Sequence, residues 1–294
     1  MDAGGFSLRR GGIQRNGTVR KRAPQTGEPE DDGTGQDRQF ITSLHRGLEV
    51  LRAFRPDDRA GLSNSDLAER TGLPNSTVSR LTFTLLKTGY LTYDRETGRY
   101  RMGVPVLSLG YACLSALPIS ETAQSYMQEL ADSCGEGILV ALGGRDDRTM
   151  TYLACARTRS VIQLQLGVGS RISLARSAMG RAWLSGCQPE ERKAVLQDIR
   201  RRAPKDAWPA ILKGFEDAAE QVAERGFYAN IGEWQPNVHA VAVPLRRRDP
   251  AAPLLALNLG GPASYLPRER MIDELGPKLV ELAHTLRQTS ADRG

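Results

Sequence analysis

Thr71, Gly72, Leu73 and Pro74 break the chain between two helix-forming runs, and the residues on either side of the break leave few folds open. Upstream, Ser63 with Asp66 three residues on has the pattern of a capping box, which predicts a short helix over Asp66–Arg70. Downstream, Val78, Leu81 and Leu85 share one face of a helix starting at Asn75, while Thr77, Arg80, Thr84 and Lys87 share another. Gly89 ends it. Before the pair, Leu44, Leu48, Leu51 and Phe54 recur at intervals of three or four, the stripe of one amphipathic helix that Pro56 terminates. After it, Tyr90–Asp94 and Arg99–Met102 are β-prone runs around Arg95-Glu96-Thr97-Gly98, a hairpin signal. Three helices and a hairpin in this order describe a winged helix-turn-helix.

That motif assigns chemistry to particular side chains. The small polar residues Asn75, Ser76, Thr77 and Ser79 let a helix start approach a phosphate, whose charge the free N–H groups and the helix dipole favour. Arg80, one turn in, can offer its planar fork to a guanine edge. Arg95 and Arg99 flank the wing, where they could touch phosphates or a minor groove. The alternative is a plain helix cap and solvated charges; the turn before and the hairpin after weigh against it. Because one short recognition helix reads few base pairs, the expected arrangement is a homodimer on a pseudo-palindromic double-stranded operator. Net charge is +6, and up to Arg22 six basic residues face Asp2 alone, a bias that suits a polyanionic partner. Residues 1–38 are nearly devoid of apolar side chains and read as a disordered basic and polar tail.

The remainder reads as residues 39–103 for the winged helix, a linking helix at 104–118 between prolines, and a larger α+β region at 119–290. Helices are expected over Ser120–Ser133, Ala178–Ser185, Glu190–Arg200, Ile211–Arg225 and Arg268–Arg287. Strands are expected over Ile138–Gly143, Met150–Arg157, Val161–Leu166, Phe227–Ile231, Val238–Pro244 and Leu254–Leu259. No regular βαβ rhythm appears, so a doubly wound sheet is not favoured.

Enzymatic chemistry finds little support. His45, His239 and His284 fall in different elements, and neither a nucleophile elbow nor a Walker loop occurs. Gly167-Val168-Gly169 lacks the third glycine of a dinucleotide fingerprint and reads as a turn. The cysteines are 21, 21 and 32 residues apart, which indicates neither a zinc site nor a disulfide framework. No metal, cofactor or catalytic residue is expected. No apolar run is long enough to span a membrane and no signal-peptide core is visible, so a cytoplasmic protein is expected. An enzyme acting on a small carboxylate, with the winged helix as accessory, is the main alternative; a winged helix used for protein contacts alone is another. One further cluster reads as a pocket wall: Ser177 as N-cap leaves the N–H groups of Ala178 and Met179 free for an anion.

Ser43-Leu44-His45-Arg46-Gly47-Leu48, the run Leu73 to Leu81, Gly89-Tyr90-Leu91 and Gly98 to Gly103 together resemble the DNA-binding domain of IclR-type transcriptional regulators. The resemblance continues through Gly169-Ser170-Arg171, Ser177 to Ala182, Arg225-Gly226-Phe227, Gly232-Glu233-Trp234, Val238 to Pro244 and Gly261-Pro262. It implies an α+β fold with an N-terminal winged helix-turn-helix, a linking helix and a C-terminal GAF-like effector domain with a mainly antiparallel sheet. It also implies homodimers or homotetramers that control catabolic genes by binding a small organic anion. Carried over residue by residue, the effector site falls at Val161, Leu164, Ser177, Ala178, Met179, Asn230, Ala240, Asn258 and Gly260. The best-known small-carboxylate binders resemble this chain with Asp, Cys and two Ser at the last four places. Their absence leaves room for a bulkier acid, aromatic and stacked near Trp234.

Overall fold

The computed structural model describes residues 39–115, 118–249 and 252–289; the tail read at residues 1–38 lies outside them. The chain divides into two units, 1–46 and 47–294. In the first, His45 donates its backbone N–H to the Ile41 carbonyl at 3.1 Å as helix α1 (Thr42–Arg52) begins.

In the second unit, α1 continues and is followed by α2 (Asn64–Thr71) and α3 (Asn75–Lys87), then by β1 (Leu91–Asp94) and β2 (Arg99–Met102). Ser63 caps α2 as its spacing predicts: its Oγ accepts from Asp66 N–H at 3.1 Å, and the Asp66 carboxylate accepts from Ser63 N–H at 2.9 Å. Hydrogen bonds to the carboxylate from the Ser63 backbone N–H and the Ser63 side chain hold the Asp66 carboxyl below its ordinary range. Gly72 closes α2 at φ 69°, the left-handed conformation a glycine adopts without steric cost. Val50, Leu62, Leu67 and Val78 form the small core, with Leu81, Leu85 and Tyr100 packed on it. The stripe expected of α1 is therefore displaced. Leu44 and Leu48 are 59% and 51% exposed, whereas Val50 is fully buried, so the apolar spacing in α1 marks two faces and the core takes the other one.

Helix α4 (Val104–Ser115) has no buried side chain, and α5 (Pro118–Ser133) leads into the larger region. There β3 (Leu139–Asp146), β4 (Thr149–Arg157), β5 (Arg171–Ser173), β6 (Tyr228–Ile231), β7 (Val238–Leu245) and β8 (Leu255–Pro262) form one sheet. Among the described residues its order is β5-β4-β3-β8-β7-β6, every neighbouring pair antiparallel. On one face lie α5 and the C-terminal run α9 (Arg268–Arg270), a π-helical turn (Met271–Leu275) and α10 (Gly276–Thr289). On the other lie α6 (Ala178–Ser185), α7 (Pro189–Arg202) and α8 (Trp208–Arg225). Alternation along the strands sorts the two cores: Leu255, Leu257 and Leu259 meet α5 and α10, while Ala256 joins the α6 side. Every residue of β8 is buried, as a central strand covered on both faces requires.

Val161–Leu166 is the strand that does not form. The chain leaves the sheet after Arg157 and runs irregularly to Ser170, with Leu164 and Leu166 packed on the α6-side core. An extended segment lying on a core alternates inward and outward without a pairing partner, so a period of two records one-sided burial rather than a ladder. The edge of β4 is taken instead by three-residue β5, too short to leave a periodic signal. Gly167 to Gly169 is the expected turn, with Ser170 N–H on the Gly167 carbonyl at 2.9 Å. All four cysteines are free, and burial pushes the Cys187 thiol up to about 12, so it stays protonated and packs as a small apolar side chain.

Candidate functional site

In the winged helix, the exposed side of α3 carries Ser76, Ser79, Arg80, Phe83, Thr84 and Lys87, opposite buried Val78 and Thr82. Asn64 of α2 fixes the near end: its Nδ2 donates to Asn75 Oδ1 at 2.9 Å, and its Oδ1 accepts from the Ser79 hydroxyl at 3.2 Å. Asn75 and Ser79 thus brace α3 against α2. Thr77 is half-buried, and Ser76 stands clear. The Arg80 guanidinium has no hydrogen-bond or ion-pair partner among the described residues, which leaves its fork available. Phe83, 61% exposed beneath the Lys87 ammonium at 5.5 Å, was not singled out by sequence; an aromatic on the polar side of α3 was the available signal.

The wing arginines differ. Arg95 stands exposed at the hairpin turn, whereas Arg99 points back into the domain, donating to the Gly61 carbonyl at 2.8 Å and to Asp66 at 3.2 Å. Arg99 braces the domain here, since Leu62 and Tyr100 exchange backbone hydrogen bonds beside it and bring β2 onto the start of α2. Arg99→Ala is expected to lower the stability of the winged helix by about 1 kcal/mol, the usual worth of a hydrogen bond, read by urea denaturation. A direct phosphate contact would instead leave stability unchanged and reduce DNA affinity.

In the larger region, cross-strand register gathers residues far apart in sequence. One row across the sheet runs Arg157, Leu139, Gly260, Ala240, Asn230; the next runs Cys155, Ala141, Asn258, Ala242, Tyr228. Directly paired residues of antiparallel strands point to the same side, here the side covered by α6. Asn230, Ala240, Asn258 and Gly260 therefore share one patch. Ser177 caps α6, its Oγ accepting from Gly180 N–H at 3.1 Å, and the N–H groups of Ala178 and Met179 have no acceptor among the described residues. Leu164, Leu166 and Trp234 pack at the margin of the same core. Val161 does not reach it: the residue is 97% exposed in the irregular segment.

The two asparagines are unequal. Asn230 Nδ2 donates to the Arg176 carbonyl at 2.9 Å, and its Oδ1 accepts from the N–H groups of Glu233 and Trp234 at 3.1 and 3.2 Å. These three bonds fix the turn after β6 against the approach to α6. Asn258 is 5% exposed and its amide has no partner among the described residues. An amide that is unpaired and not wholly closed off from solvent can both donate to and accept from an added polar group.

Arg181 was missed as well. Its guanidinium, buried over Gly214 of α8, bonds the Ala175 carbonyl, the Tyr228 hydroxyl and the Glu233 carboxylate, while Tyr228 donates to Glu233 at 2.8 Å. Desolvation opposes its charge, but Tyr228 and Glu233 outweigh it and raise its pKa. An arginine in the otherwise small and apolar Ala178–Leu184 run was the readable signal, since a helix buried all round must pair any charge it carries. Among the described residues no group of three or more His, Cys, Asp and Glu could hold a metal, and no helix is long and apolar enough to cross a membrane.

Comparison with known proteins matches two family domains along the chain. The profile of the IclR helix-turn-helix domain matches residues 43–95, and that of the bacterial transcriptional regulator IclR C-terminal domain matches residues 111–288. The HTH-type transcriptional regulator TsaQ1/TsaQ2 of Comamonas testosteroni is 30% identical over 259 residues, covering 87% of this chain and 90% of that protein. The crystal structure of an IclR family transcriptional regulator from Brucella abortus is 41% identical with a TM-score of 0.76, over 86% of this chain and 94% of that one. An IclR homologue from Microbacterium hydrocarbonoxydans, complexed with 4-hydroxybenzoate, shares the fold at 21% identity and a TM-score of 0.65, over 84% of this chain and 98% of that one.

Proposed function

The chain belongs to the IclR family of bacterial transcriptional regulators, and we propose that it is a cytoplasmic homodimer that reads a pseudo-palindromic operator beside catabolic genes and answers to a small organic acid, aromatic in type. Membership of a family of DNA-binding regulators sets the enzyme alternative aside. Support for a second copy comes from α4, where Val104, Leu107, Leu109 and Tyr111 are each more than half exposed on a helix without a charged residue. Such a surface is costly in water and is relieved by burial against its twin.

The acid reading rests on one observation: the partnerless Asn258 amide shares its sheet face with the capped start of α6, whose free N–H groups suit a carboxylate. Ala240 and Gly260 keep that patch shallow, and Trp234 with Leu164 offers apolar surface for a ring. Calorimetry with benzoate, 4-hydroxybenzoate and pyruvate tests it. Asn258→Leu is expected to weaken the bound acid about tenfold, the worth of one hydrogen bond to a charged group, while DNA binding without acid stays as in the parent. Unchanged affinity for every acid that binds the parent would place the ligand elsewhere. Asn230→Leu, by contrast, is expected to lower stability, because it unties three hydrogen bonds of the turn.

A further inference from the structure

The β3–β4 turn, β5, the approach to α6 at Ala175 and Arg176, and the facing ends of α7 and α8 border an open groove of about 520 Å³. Arg148, Arg171, Arg176 and Arg202 line it against one carboxylate, that of Asp147. Its apolar wall is Ile172, Ile199 and Ile211, the first two buried.

The four guanidinium groups are loosely engaged. Arg148 meets Asp147 at 3.5 Å, Arg171 meets Asp146 at 3.6 Å, and Arg202 meets Asp147 at 3.8 Å and Asp198 at 3.3 Å. Arg176 reaches no carboxylate among the described residues, donating only to the Glu233 carbonyl at 3.3 Å. Half-exposed pairs at these separations hold their side chains weakly, so the guanidinium groups can turn to a better acceptor. An arginine fork matches a carboxylate or phosphate with two parallel hydrogen bonds. A single cation would be an ordinary surface charge; here four surround one concave, partly apolar wall, and the three aspartates that meet Arg148, Arg171 and Arg202 leave Arg176 without a carboxylate.

We propose that this pocket is a second ligand site, for a small organic molecule with an apolar body and at least two negative charges, separate from the acid site at α6. It does not depend on the Asn258 reading, since the two sites share no ligand-contacting side chain. Two chemistries meet the description, a dicarboxylate and a phosphate ester. Isophthalate and phenyl phosphate represent them, and benzoate is the single-charge control.

Titration calorimetry at fixed ionic strength is the test, on the parent, on Arg148→Gln/Arg202→Gln, on Ile211→Glu and on Asn258→Leu. At least one of the two dianions is expected to bind the parent, and whichever binds names the chemistry. Removing two forks, or placing a carboxylate in the wall, is expected to weaken that dianion by about tenfold or more, as loss of charge-assisted hydrogen bonds does. Asn258→Leu is expected to leave it unchanged. Arg148 and Arg202 are about half exposed, so the double variant keeps its fold, and Ile211→Glu probes the same pocket through a different element. The proposal is overturned if neither dianion binds, if benzoate binds this site equally well, if both pocket variants bind as the parent does, or if Asn258→Leu removes the binding.

Discussion

Arg80→Ala lowers the preference of the protein for its operator over random duplex DNA by about 10- to 100-fold, the range that loss of one bidentate base contact produces. The reason lies in what surrounds the side chain. Asn75 and Ser79 are held to α2 through Asn64, which fixes the start of α3, and the Arg80 guanidinium projects from the same turn without a partner among the described residues. A fork on a braced helix can be placed on one base edge; a fork on a mobile segment reads only charge. Arg95→Ala supplies the contrast, since an exposed cation at a turn meets phosphates and should weaken operator and random DNA about equally. The measurement is a pair of titrations, one on an operator selected from a random duplex pool and one on unselected DNA, at two salt concentrations. Binding to both should fall steeply with salt as counterions are released, and footprints should show two half-sites related by a dyad. A specificity ratio in Arg80→Ala equal to that of the parent would end the base-reading assignment.

Local chemistry made the DNA-reading half legible. The Ser63–Asp66 box, the left-handed Gly72, and Gly98 at φ 68° in the wing turn each involve residues no more than a few positions apart, so spacing alone carries them. What spacing could not carry was partnership. Arg99 and Arg95 look equivalent in sequence, yet Arg99 closes on Asp66, 33 positions away. Asn230 and Asn258 are both buried amides, on the two strands that flank β7, but the Arg176 carbonyl that occupies one lies 54 positions off, and nothing local marks the other as unoccupied. Val161 and Leu164 lie in one alternating run, and only the path of the chain after Arg157 decides that the first meets water and the second the core. The α6-side patch was located by resemblance, not by periodicity: three strands contribute one or two residues each, and register, which a sequence does not print, brings them together.

Gly180→Ala is expected to have the largest effect on stability, although it adds one methyl group. A Cβ there would lie 2.1 Å from the Leu174 carbonyl oxygen and 2.6 Å from the Leu174 carbonyl carbon and Cα, all backbone atoms that cannot rotate aside. The helix must lift. Lifting it stretches the Ser177 cap on Gly180 N–H and the Arg181 bond to the Ala175 carbonyl, and it moves the free N–H groups of Ala178 and Met179 away from the sheet face that carries Asn258. Overpacking costs about 1 to 3 kcal/mol in a well-packed core, and the strained cap brings the expected loss to about 3 kcal/mol. For a domain of this size that lowers the unfolding midpoint by about 6 to 12 °C. The same substitution at Gly47 in α1 is the control: its Cβ would find Leu81 Cδ2 at 4.0 Å, an ordinary contact, so the better helix propensity of alanine should stabilise by about 0.5 to 1 kcal/mol. Scanning calorimetry on the two variants should therefore give shifts of opposite sign, with acid binding weakened in Gly180→Ala and kept in Gly47→Ala. A midpoint in Gly180→Ala equal to the parent's would mean that α6 is not seated on Leu174 as described, and the carboxylate site proposed at its start would lose its geometric basis.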